Sequence, residues 1–183
     1  MRTPARAGGL TRRSFVFSLG ALASAPPPFL AGGRLGATTP ARASLGADER
    51  RTLGAICERI FPKDEYPGAL DLGVVPFIET TLLKAHPDWI RVYHAGLAAV
   101  DQSCRERNGR AFRELPADVQ IRFLRDMEEG TLASSAWKEL RPADFFGLVR
   151  DHTFKGAYSH PRYGGNRDKG AWKMIGYSDW WAE

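Results

Sequence analysis

The chain lacks the sequence patterns that the common catalytic and metal sites require. Its 183 residues include two cysteines, Cys57 and Cys104, and neither stands in a C-x-x-C or C-x-x-C-H motif. A dithiol redox site and covalently attached c-type haem are therefore excluded. No histidine pair has H-E-x-x-H spacing, and no G-x-S-x-G elbow marks a serine nucleophile. We expect no catalytic residue, no metal ligand and no cofactor-binding motif in this chain.

Acidic residues are absent from the first 43 positions, which carry six arginines. Residues 44–183 hold the remaining 20 basic and 21 acidic side chains, so the net positive charge arises from the leader. A nearly neutral remainder gives no reason to expect a nucleic-acid partner. A long apolar run is also missing, because Pro26-Pro27-Pro28 and Gly32-Gly33 interrupt the leader and a spanning helix needs about 20 predominantly apolar residues.

What the first 43 residues do contain is the pattern of an export signal. The paired Arg12 and Arg13 before a phenylalanine are typical of the twin-arginine type, and a weakly apolar run rich in alanine, glycine and serine follows. An A-x-A-like site predicts cleavage after Ala43, with Ala37 and Ala41 as alternatives. This route carries folded cargo, so we expect a cofactor or a partner to be assembled before export. The alternative is a leader with incidental arginines.

Export would place the two cysteines in an oxidising compartment. Cys57 and Cys104 then have three alternatives: a mutual disulfide, a bond to another subunit, or buried free thiols.

After the leader, the periodicity of apolar residues predicts a small domain of about five helices over residues 44–158. The first extends from about Asp48 to Phe61, and the second begins near Pro76. In the second helix, Phe77, Ile78, Thr81 and Leu82 are expected to form the buried stripe. The third follows Pro87, the fourth begins at Pro116, and the fifth at Pro142. No stretch shows sustained strand alternation, so the fold class is mainly α.

Residues 159–183 form an irregular, extended tail that is rich in glycine and contains three of the five tryptophans. Tyrosine, tryptophan and arginine are common in interface hot spots. We therefore expect this region to contact a partner, and the alternative is that it covers its own domain. The candidate partner-binding residues are Tyr158, Pro161, Arg162, Tyr163, Gly164, Gly165, Asn166, Trp172, Ile175 and Tyr177.

Two other readings remain open from the residues alone. One is a self-sufficient periplasmic metal-dependent enzyme, with the metal held by His152, His160 and carboxylates such as Asp151 and Asp168. The other is a small-ligand module, in which glycine backbone N–H groups beside Arg162 and Arg167 bind an anion.

Several segments of the chain together form a recognisable pattern. They are the leader, Ile60-Phe61-Pro62, 73–79 (GVVPFIE), 145–153 (FFGLVRDHT), 156–166 (GAYSHPRYGGN) and 172–177 (WKMIGY). With these segments the sequence resembles, over nearly all of residues 44–183, the gluconate 2-dehydrogenase subunit 3 family, the small (gamma) subunits of membrane-associated flavin-dependent dehydrogenases of sugars and sugar acids. The Trp180-Trp181 end is not part of the recognised pattern.

The resemblance implies a non-catalytic subunit. Its partner would be a large FAD-containing subunit of the glucose-methanol-choline type, often joined by a multihaem cytochrome c subunit. The small subunit would assist maturation of the flavoprotein and carry it through the twin-arginine translocase. FAD and haem c would then belong to other subunits, and the chain would lie in the periplasm, reaching the inner membrane only through the complex.

Overall fold

The chain folds into six α-helices in the part that this computed structural model describes, residues 44–138 and 140–177. Three 3-10 turns, Phe112–Glu114, Pro161–Tyr163 and Arg167–Lys169, lie between them, and these residues contain no strand. The mainly α fold class is therefore confirmed. The helices are α1 (Ala47–Ile60), α2 (Val74–Lys84), α3 (Trp89–Asn108), α4 (Ala117–Glu128), α5 (Pro142–Tyr158) and α6 (Gly170–Met174).

Proline and glycine fix most of the helix ends. Pro62 follows α1 closely, Pro142 is the first residue of α5, and Gly109 ends α3 in the left-handed conformation, with a φ of 71°. Helix α2 begins at Val74, two residues before the expected Pro76, because Gly73 turns the chain there with a φ of 74°. Helix α6 has five residues, too few to show a periodic pattern in the sequence.

Helix α5 is the centre of the domain, since it packs against each of the other five helices. Its aromatic residues Phe145 and Phe146 are buried and so is Val149. Gly96 lets α3 lie close against α5, because a Cβ atom at this position would lie 2.3 Å from the Phe145 ring. The core therefore forms around one long helix near the end of the chain.

The buried stripe that the sequence predicts for the second helix is wrong in part. Ile78 and Leu82 of α2 are fully buried, but Phe77 and Thr81 are only partly buried. Val74 and Val75 take the interior positions instead, because α2 begins earlier than the proline suggested. Phe77 and Thr81 consequently line a surface groove.

No helix among the described residues is long and apolar enough to cross a membrane. The export-signal residues Arg12 and Arg13, the cleavage residue Ala43 and the Trp180-Trp181 pair lie outside the described residues.

Candidate partner-binding surface

The C-terminal segment, residues 159–177, is attached to the helical domain through Asn166. This side chain is fully buried; its Oδ1 accepts a hydrogen bond from the Ala171 N–H at 3.0 Å, and its Nδ2 donates to the Ser159 carbonyl at 3.1 Å. Its own N–H donates to the carbonyl of Gly156 in α5 at 2.9 Å. Asn166 adopts the left-handed conformation, with a φ of 45°, which asparagine tolerates better than most residues. One residue thus joins three parts of the backbone.

Gly165 lets this segment lie directly on α5. A Cβ atom at position 165 would meet the Gly156 carbonyl oxygen at 2.1 Å, closer than any real contact. The next residue, Arg167, donates its N–H to the Leu72 carbonyl at 3.1 Å, which attaches the segment to the loop before α2 as well. Gly165, the second glycine of the pair, therefore allows the two backbones to approach each other closely.

Trp172 attaches the C-terminal part of this segment to the helical domain. Its side chain is 8% exposed, and its Nε1 donates to the Tyr158 carbonyl at 2.8 Å. The His160 ring meets it edge-on, and the Tyr177 ring lies 4.9 Å away between centroids. This aromatic cluster packs on the end of α5, so the expected tail is folded onto its own domain up to residue 177.

The expected contact residues therefore separate into two groups. Gly165, Asn166 and Trp172 are buried within the fold, so their side chains position the surface and are not presented to a partner. Tyr158 and Pro161 are partly buried. The exposed members are Arg162, Gly164, Tyr163 at 52%, Ile175 at 57% and Tyr177 at 42%. We call these five residues the C-terminal surface.

Arg162 and Tyr163 form an ordered pair on this surface. The guanidinium lies 4.8 Å from the centroid of the tyrosine ring, and its Nη2 donates to the Tyr163 hydroxyl at 2.7 Å. Stacking fixes both long side chains, which reduces the entropy that a partner would have to remove on binding. A preordered arginine and tyrosine are typical of an interface hot spot.

A groove of about 750 Å³ adjoins the C-terminal surface. Its walls come from α2 and α5, and the Arg162–Tyr163 pair closes part of its rim. Its aromatic residues are Phe77, Phe154 and Tyr158, and its other cations are Lys84 and Lys155. Sequence patterns missed this groove, because most of its residues come from two helices that are far apart in the sequence, and each resembles an ordinary helix-surface residue.

The histidines have structural partners in the fold. His152 is 2% exposed and lies between the Trp89 ring and Tyr93, whose hydroxyl is hydrogen-bonded to His152 Nδ1 at 2.8 Å. Burial lowers the pKa of His152 to about 4, so the ring is neutral near pH 7. His160 Nδ1 accepts from the Arg162 N–H, as part of the turn.

No group of three histidine, cysteine, aspartate or glutamate side chains that could hold a metal occurs among the described residues. The structure does not bring His152 and His160 together with Asp151 and Asp168 as such a group. Of the backbone groups that the anion alternative would use, the N–H groups of Gly164, Asn166 and Arg167 already donate to carbonyls within the fold.

Both cysteines are buried free thiols in the structure, which is one of the three alternatives the sequence left open. Burial raises the pKa of Cys57 and of Cys104 to about 12. Protonated thiols are poor nucleophiles and poor metal ligands, so neither side chain is equipped for thiolate chemistry.

Comparison with known proteins identifies a relationship over most of the chain. A family model described as Gluconate 2-dehydrogenase subunit 3 matches residues 47–179, which include all six helices and the whole C-terminal surface. Neither the search of curated proteins nor the search of solved structures gives a match.

Proposed function

Because the chain belongs to the gluconate 2-dehydrogenase subunit 3 family, we propose that it is the accessory small subunit of a periplasmic FAD-dependent dehydrogenase of sugars or sugar acids. The family match over residues 47–179 is the observation that carries this proposal. In it, the chain binds the large flavoprotein subunit, assists its maturation and accompanies it through the twin-arginine translocase. Catalysis takes place in the large subunit, and FAD is bound there.

The exposed C-terminal surface supports binding as the function. Tyr163, Ile175 and Tyr177 are large apolar side chains left at the surface, whereas the residues that hold them in place are buried and hydrogen-bonded. A rigid aromatic surface with an ordered arginine is suited to a protein partner. A stable interface buries about 1,200–2,000 Å² in total, so contacts beyond these five residues belong to it as well.

Export supports the same assignment from the sequence. Arg12 and Arg13 would direct the folded complex to the twin-arginine translocase, and the flavoprotein would need no signal of its own. A multihaem cytochrome c subunit would complete the complex as the electron acceptor, and this chain would reach the inner membrane only through the complex.

Two variants of matched exposure test the contact. We expect Ile175→Ser, at a residue 57% exposed, to reduce recovery of the flavoprotein in an affinity purification from the native host. Leu70→Ser removes a similar apolar side chain, 53% exposed, outside the C-terminal surface and should leave recovery unchanged. Equal recovery of the flavoprotein with both variants and with the wild type would show that the interface does not include this surface.

Export is tested separately. Replacing Arg12 and Arg13 by lysine should leave both the chain and the flavoprotein in the cytoplasm, and dye-linked dehydrogenase activity should disappear from the periplasmic and membrane fractions. A flavoprotein that is exported normally with this variant would show that it travels without the small subunit.

A further inference from the structure

The groove between α2 and α5 combines an aromatic lining with positive charge. Phe77 from α2 and Phe154 and Tyr158 from α5 supply the aromatic surface. Lys84, Lys155 and Arg162 are also among its lining residues, and none of the lining residues is acidic. Residues 44–183 as a whole have nearly equal numbers of acidic and basic side chains, so the charge of the groove is a local feature.

The three cations are held differently. Lys155 has Asp151 at 2.6 Å one helical turn earlier, and Arg162 is stacked on Tyr163. Lys84 is exposed at the end of α2, where a cation also compensates the helix dipole. An occupant with carboxylates would meet this charge favourably, and an occupant with arginines would be repelled.

The positive charge of the groove determines which other parts of this chain are suited to bind in it. The leader has six arginines and no acidic residue, so the sign of its charge opposes binding in the groove. Residues 178–183 carry two acidic residues and two tryptophans, which makes them a competitor that an experiment must separate from a partner.

The position of the groove favours a partner segment. Arg162 and Tyr163 belong both to the groove and to the C-terminal surface, so a protein bound to that surface continues directly into the groove.

We propose that this groove binds a segment of the flavoprotein subunit in which an aromatic or aliphatic side chain stands beside one or more carboxylates. The apolar side chain lies against Phe77 and Phe154, and the carboxylates face Lys84 and Arg162. The inference rests on the proposed function and adds to it the chemistry of the segment that the partner contributes. Recognition of an apolar anchor with flanking charge gives both affinity and selection among partners.

Photo-crosslinking in the complete complex tests the occupant. The photoreactive residue p-benzoylphenylalanine replaces Thr80, which lines the groove, and in a control replaces Arg122, which is exposed on α4. We expect the Thr80 probe to crosslink to one flavoprotein peptide that has Asp or Glu within a few positions of a large apolar residue. The Arg122 probe should not reach that peptide.

Three results would overturn the proposal. One is a Thr80 crosslink to this chain's own residues 178–183 or to a second copy of the chain. Another is a crosslink to a flavoprotein segment without carboxylates. The third is the absence of any crosslink from Thr80 to the flavoprotein in a complex that remains intact.

Charge-reversal variants test the groove independently of crosslinking, through the affinity of the chain for the flavoprotein. Lys84→Glu and Arg162→Glu should each weaken binding of the purified flavoprotein about ten-fold, with Lys84→Gln weaker in effect because it removes charge without reversing it. Arg91→Glu makes the same change at an exposed position of α3 outside the groove and serves as the control. If all three groove variants bind like the wild type, the groove is not part of the interface.

Failure of this inference is distinguishable from failure of the proposed function. If the wild-type chain retains the flavoprotein but the groove variants do so equally well, only the groove assignment is lost. If the wild-type chain retains no flavoprotein, the proposed function fails and the groove assignment fails with it.

Discussion

Asn166 shows how one residue determines whether the C-terminal surface exists. The side chain is fully buried, and both ends of its amide are hydrogen-bonded to backbone groups of the segment that carries the exposed residues. The sequence alone groups Asn166 with the contact residues, because it stands in an aromatic and glycine-rich stretch. Its role could not be predicted, because the partners of the amide come from positions 5 and 7 residues away in a loop without periodicity.

Replacing Asn166 by alanine should destabilise the protein by about 3 kcal/mol, since buried backbone groups lose their partners and alanine is strained in the left-handed conformation. Asn166→Gly removes the same hydrogen bonds without that strain, so it should be less destabilising in urea denaturation. Asn166→Asp keeps the acceptor for the Ala171 N–H and should also retain part of the stability. Wild-type stability for the alanine variant would show that the hydrogen bonds do not hold the segment.

His152 makes the stability of the domain depend on pH. Burial lowers its pKa to about 4 in the folded chain, with Lys155 and His86 acting in the same direction and Asp151 opposing them. The ordinary pKa is about 6.5, so below that value the unfolded chain takes up a proton that the folded chain does not. The contribution of His152 to the free energy of unfolding is therefore fully present above about pH 6.5 and is lost as the pH falls towards 4.

The free energy of unfolding should fall by about 3 kcal/mol through His152, because each unit of difference between its folded and unfolded pKa corresponds to roughly 1.4 kcal/mol. Urea denaturation between pH 4 and 7.5 measures it. His152→Gln removes the titrating group and should flatten this part of the profile. Tyr93→Phe removes the hydroxyl that is hydrogen-bonded to His152 but keeps the imidazole, so a pH dependence should persist. An unchanged profile for His152→Gln would contradict the assignment.

At the scale of elements, the five longer helices could be predicted and their contacts could not. Apolar periodicity, the prolines near the starts of α2 to α5 and Pro62 after α1 locate these five helices within a few residues, because these signals are local. The groove escaped prediction since it depends on the relative placement of α2 and α5. Phe77 illustrates this point: its apolar character indicated the core, whereas the packing leaves it at the groove.

A pair of glycine substitutions tests the packing of the C-terminal segment on α5. Gly165→Ala places a Cβ atom 2.1 Å from the Gly156 carbonyl oxygen, so it should destabilise the protein by about 3 kcal/mol and release the segment. Gly147→Ala, in α5, meets no atom within 4 Å and should stabilise the protein by about 0.5–1 kcal/mol through helix propensity. Thermal denaturation followed by circular dichroism compares the two variants. Equal stability would show that Gly165 is not in close contact.

At the scale of the whole molecule, residues 44–138 and 140–177 form a helical domain in which three of the six exposed large apolar side chains, Tyr163, Ile175 and Tyr177, lie in the C-terminal segment. The family match covers residues 47–179 and includes this segment, which is consistent with an accessory subunit of a dehydrogenase complex. The export leader and the partner contact of the C-terminal segment stay predictions from the sequence. The structure separates the buried residues of that segment from the exposed ones, because burial depends on the folded path of the chain.

Binding to the flavoprotein should stabilise the small subunit measurably. A partner that binds only the folded state adds about 2.7 kcal/mol when its concentration is 100 times the dissociation constant. The Tm of the chain without its leader should therefore rise when purified flavoprotein is added, and Ile175→Ser should reduce the rise. A Tm that does not respond to the flavoprotein would argue against binding at these concentrations.

The most direct test of an accessory-subunit function is the flavin content of the complex purified from the native host through a tag on this chain. The account predicts a large subunit in near-equal amount, one FAD for each copy of this chain, and dye-linked oxidation of a sugar or sugar acid. A chain recovered alone, without flavin and without a large subunit, would contradict it.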